Sequence, residues 1–118
     1  MVICDVAAQV WQEFAPRGDE DLTCRDDGII EVTIAGSAEG FNIEPDQPLG
    51  PLASQLADRI QTIVIEGRQE MVPGCPLHPG AHPLASSVVD GAAAWSCPTD
   101  NGLIRYMMVN PAAGSSFK

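Results

Sequence analysis

Residues 75–98 read CPLHPGAHPLASSVVDGAAAWSCP, and this stretch decides how the C-terminal half of the chain folds. Two short runs, 85–89 and 92–96, flank Asp90-Gly91. An Asp-Gly pair readily supplies the two left-handed residues of a type I′ turn, so the spacing predicts a β-hairpin. Asp100-Asn101-Gly102 marks a second turn, and residues 103–109 predict a third strand. The result is a three-stranded antiparallel meander. Its hairpin folds Cys97 back beside a loop that carries Cys75, His78 and His82.

Both histidines of the chain and two of its four cysteines fall in this stretch. Zinc takes four tetrahedral ligands from thiolate sulfur and imidazole nitrogen, so the grouping predicts a structural zinc site made by Cys75, His78, His82 and Cys97. Pro76, Pro79, Pro83 and Pro98 each follow one of the four. Proline fixes its own φ and pushes the preceding residue toward extended backbone, which lowers the ordering cost of an irregular ligand loop. Two other readings stand beside this one. The loop is simply proline-rich, with two exposed histidines and two buried cysteines; or Cys75 and Cys97 form a disulfide in an oxidising compartment. If one histidine does not bind, Asp100 or Cys24 is the substitute ligand. A catalytic zinc keeps one position open for water, whereas four protein ligands argue for a closed site. No histidine is left elsewhere to act as a base, and no catalytic residue is assigned.

The segments Cys75-Pro76-Leu77-His78-Pro79, His82-Pro83-Leu84, Asp90-Gly91 and Trp95-Ser96-Cys97-Pro98 resemble a pattern in small, uncharacterised proteins of actinobacteria and their phages. The same segments look like a degenerate zinc ribbon. The likeness covers about residues 49–98, and it implies a metal-stabilised module with no activity attached.

Upstream, residues 49–66 predict the clearest helix. Leu49, Leu52, Leu56, Ile60 and Ile63 recur at three and four residues, with Ala53, Ala57 and Val64 widening that face. Ser54, Gln55, Asp58, Arg59, Gln61 and Thr62 are placed on the opposite face. Pro48 and Pro51 suit the first turn, and Gly67 the stop. Residues 5–14 predict a shorter helix with Val6, Ala7, Val10, Trp11 and Phe14 on one side and Asp5 as its cap. Ile30, Val32 and Ile34 predict one strand over residues 29–35, its other face carrying Glu31 and Thr33. Residues 17–28 and 36–48 read as loops, the second with a short partner strand near Phe41.

The expected fold class is therefore α+β: an N-terminal helix, a strand, a long amphipathic helix, then a zinc-ribbon-like meander. The expected organisation is an α+β part over residues 1–72, a ribbon-like part over 73–110 and a flexible tail over 111–118. The 118 residues suit one domain. Sixteen acids against 6 bases give a net charge of −10, which repels polyanions and makes nucleic-acid binding a poor expectation. No apolar run approaches the roughly 20 residues that span a bilayer. The N-terminus carries no secretory pattern, so the expectation is a cytoplasmic protein, or one assembled into a phage particle there, with its thiols reduced or metal-bound. Cys4 and Cys24 are expected to pack in the core without reactivity. The functional expectation is a non-enzymatic interaction or structural module with a protein partner. Its alternatives are a small zinc-dependent hydrolase and a nucleic-acid-binding ribbon.

Overall fold

The computed structural model describes residues 3–109. Helix α1 (Ile3–Gln12) leads into a sheet of β1 (Asp21–Cys24), β2 (Ile29–Ile34) and β3 (Ser37–Asn42). Helix α2 (Leu49–Arg68) follows, and then a second sheet of β4 (Ala85–Val89), β5 (Ala92–Ser96) and β6 (Leu103–Tyr106). Both sheets are antiparallel, in the orders β1-β2-β3 and β4-β5-β6. The α+β class holds, but the order is helix–sheet–helix–sheet: the short partner strand expected near Phe41 is β3, and β1 lies in residues 17–28, which were expected to be loop.

Helix α2 is the shared element. It packs on α1, β2 and β3 and also on β4 and β5. Leu52, Ala53, Leu56, Ala57, Ile60 and Val64 are fully buried in these contacts, as the periodicity requires. Two glycines let the helix sit this close. A β-carbon at Gly50 would collide with the Gly91 carbonyl in the β4–β5 turn, and one at Gly67 would collide with the Ile34 side chain. Gly67 therefore lies inside the helix and does not stop it. The chain leaves the helix at Gln69, which is left-handed (φ 59°) and donates its N–H to the Ile65 carbonyl.

The alternation of β2 is as expected, with Ile30, Val32 and Ile34 buried. On α1, Val6, Ala7, Val10 and Trp11 face the core, and Phe14 does so just beyond the helix. Asp5 lies in the first turn and is not the residue preceding it. The β2–β3 connection is Ala35-Gly36, both at positive φ (52° and 82°). The β4–β5 turn takes the predicted form, with Asp90 and Gly91 at φ 52° and 81°. Strand β6 ends at Tyr106, although the Met107 N–H still reaches the Ala93 carbonyl at 3.0 Å. The expected tail over residues 111–118 lies outside the described residues.

Cys4 and Cys24 are joined by a disulfide that ties the first turn of α1 to the end of β1. This corrects the expectation of reduced thiols for that pair. Its Cα–Cα distance of 5.5 Å is an ordinary one for a bridge.

Candidate metal centre

The loop before β4 is held at its base by backbone pairing. Gly74 and Pro83 form an isolated antiparallel bridge, the Leu84 N–H reaches the Pro73 carbonyl at 2.8 Å, and the Cys75 N–H approaches the His82 carbonyl at 3.4 Å. Between these anchors the chain turns tightly, with His78 N–H to Cys75 carbonyl and Ala81 N–H to His78 carbonyl. Gly80 takes φ 76° inside the turn. The second loop closes in the same manner: Asn101 N–H donates to the Cys97 carbonyl at 2.7 Å and Cys97 N–H to the Gly102 carbonyl at 2.9 Å.

These two loops bring Cys75, His78, His82 and Cys97 together, with one donor atom of each within 4.8 Å of every other. The separations can be compared with a tetrahedron. Bonds of about 2.3 Å to sulfur and 2.0–2.1 Å to nitrogen place neighbouring donors roughly 3.3–3.8 Å apart. His78 Nδ1 lies 3.7 Å from Cys75 Sγ, 3.4 Å from Cys97 Sγ and 3.2 Å from His82 Nε2. The Cys97 Sγ–His82 Nε2 edge is 4.0 Å. The edges from Cys75 Sγ to His82 and Cys97 are at most 4.8 Å, so one ion at the middle reaches all four donors once the longest edges close by up to roughly an ångström. Cys75 and Cys97 carry free thiols and are buried, while the imidazoles are half-buried on the solvent side.

The surroundings orient the rings. His82 Nδ1 lies 3.0 Å from the Pro83 carbonyl oxygen, which can only accept; that nitrogen carries the proton, and Nε2 keeps its lone pair for the centre. His78 turns Nδ1 inward, and its Nε2 faces Asp100 Oδ2 at 3.7 Å. Asp100 thus stands behind a histidine and does not replace one. Cys24, the other substitute considered, is committed to Cys4. Thr99 Oγ1 lies 3.4 Å from His82 Nε2.

Gln61 was not foreseen. It is buried on α2, and its amide donates to the Val72 carbonyl at 3.1 Å and the Leu84 carbonyl at 2.7 Å. Those two carbonyls flank the first ligand loop. The sequence signal is position: Gln61 follows Ala57 by four residues and precedes Val64 by three, so it belongs to the apolar face. Glu13 is the second unforeseen residue. Its carboxylate accepts from Trp95 Nε1 (2.9 Å), Arg105 Nη1 (2.6 Å) and the Met108 N–H (2.8 Å), tying the chain just after α1 to the second sheet, whose strand β5 leads into Cys97.

No family model, curated protein or solved structure matches the chain. Among the described residues, no helix is long and apolar enough to cross a membrane.

Proposed function

We propose that Cys75, His78, His82 and Cys97 hold one zinc ion in a closed structural centre, and that the protein is a non-enzymatic interaction or structural module built around it. The observation that carries this reading is the gathering of two sulfurs and two imidazole nitrogens within 4.8 Å of one another, with the three edges at His78 Nδ1 between 3.2 and 3.7 Å. Zinc suits the donor set, because mixed sulfur and imidazole ligation in tetrahedral geometry is its usual structural environment. The ion would clamp the loop over residues 75–82 to the turn after β5 and so fasten the second sheet, which packs on α2.

Four protein donors complete a tetrahedron and leave no position for a reacting water, which favours the structural role over a hydrolase. The net charge of −10 favours a protein partner over a nucleic acid. Metal analysis of protein purified without added metal tests the centre: one zinc per chain is expected, and loss of zinc with loss of cooperative folding in Cys75→Ser. Protein with full occupancy of a different metal, or with none, refutes it. Size-exclusion chromatography with light scattering, followed by co-purification from the native host, tests the module. A strictly monomeric chain with no recoverable partner counts against it.

A further inference from the structure

The chain holds one cysteine pair as a disulfide and a second pair as thiols. Cys4 and Cys24 are bonded, whereas Cys75 and Cys97 are free although their sulfurs lie within 4.8 Å of each other. Two thiols within 4.8 Å of each other are close enough to compete for the roughly 2.05 Å bond of a disulfide once their side chains turn toward one another. Conditions that oxidise the first pair therefore threaten the second. Four cysteines also permit three ways of making two bridges, two of which would separate Cys4 from Cys24.

We propose that the metal acts as the guard of thiol pairing: by holding Cys75 and Cys97 as ligated thiolates it leaves Cys4 and Cys24 as the only pair free to oxidise. This inference rests on the zinc reading above. A thiolate bound to zinc has its lone pair engaged by the ion and is a poorer nucleophile toward a disulfide than a free thiolate. The buried positions of Cys75 and Cys97 add a steric barrier once the centre has formed. The oxidant is a small-molecule disulfide of the glutathione class. Two protein thiols give up two protons and two electrons and form one S–S bond; the oxidant's S–S bond breaks, and two glutathione thiols leave. With the ion in place this exchange runs once per chain, at Cys4 and Cys24. Without it, Cys75 and Cys97 enter the same exchange.

The full chain, reduced and unfolded, is refolded in a mixture of reduced and oxidised glutathione, in one arm with zinc and in the other with a chelator. Free thiols are then alkylated and the bridges mapped by mass spectrometry of unreduced peptides. With zinc, the expected product has Cys4–Cys24 as its only bridge, two alkylated thiols at Cys75 and Cys97, and one zinc in a sample taken before alkylation. With chelator, Cys75 and Cys97 are expected in bridges, to each other or to Cys4 or Cys24, in most molecules. His82→Ala keeps all four cysteines and, at limiting zinc, is expected to resemble the chelator arm. Cys75 and Cys97 remaining thiols in both arms overturns the guard role, as does a second bridge formed in chains that carry zinc. A zinc arm whose product holds no metal overturns the centre itself, and the two failures are told apart by that metal content.

Discussion

The side-chain amide of Gln61 donates to the Leu84 carbonyl at 2.7 Å, and the same nitrogen reaches the Val72 carbonyl at 3.1 Å. One helical side chain thus pins both ends of the first ligand loop. Replacing it by leucine keeps the volume but leaves two carbonyls without a donor in a buried setting, at a cost of about 1–3 kcal/mol. Gln61→Leu is expected to lower the denaturant midpoint by a matching amount and to weaken zinc in a chelator competition. Unchanged zinc affinity in a destabilised variant would show that Gln61 supports the fold without positioning the ligands.

Glu13 makes a pH prediction. Burial pushes its carboxyl up, but the Met108 N–H, the Arg105 guanidinium and the Trp95 indole together outweigh burial and hold it below its ordinary value of 4.5. A group depressed on folding adds stability that is present above its unfolded value and is lost as pH falls through its folded value. The stability of the native chain is therefore expected to fall below about pH 4.5, more steeply than that of Glu13→Gln. Comparing the two in denaturant melts removes the shared contribution of the centre. Parallel curves through that range would contradict the assignment.

Gly50 tests how α2 meets the second sheet. Its missing β-carbon leaves room for the Gly91 carbonyl, a backbone atom that cannot rotate away. Gly50→Ala is expected to destabilise by roughly 1–3 kcal/mol despite the better helix propensity of alanine. Gly18→Ala, where nothing lies within 4 Å, is the control and should be close to neutral. Equal melting temperatures for the two variants would mean the helix shifts freely on the hairpin.

The elements that could be read in advance are those whose own residues carry the pattern. Helix α2 has its apolar stripe, β4 and β5 have Asp90-Gly91 between them, and the four centre residues stand close together among prolines. Strands β1 and β3 do not carry it. Asp21–Cys24 is four residues long with only Leu22 and Cys24 half-buried, and Ser37–Asn42 buries only Phe41, so both owe their extended form to pairing with β2. The Ala35-Gly36 turn between β2 and β3 also lacks the Asn or Asp that usually marks a hairpin. The Cys4–Cys24 bridge depends on where α1 lies against β1, a long-range relation that cysteine spacing does not encode. Gln61, placed on the polar face by its side chain alone, is buried with its amide nitrogen donating to two carbonyls, and the Glu13 carboxylate is only 4% exposed where it accepts from Trp95, Arg105 and Met108.

The closed four-ligand centre is tested most directly by X-ray absorption at the zinc edge on the metal-loaded chain. A shell of two sulfurs at about 2.3 Å and two imidazole nitrogens at about 2.0–2.1 Å is expected. A shell with fewer than two sulfurs, or with a water oxygen in place of an imidazole, would contradict it.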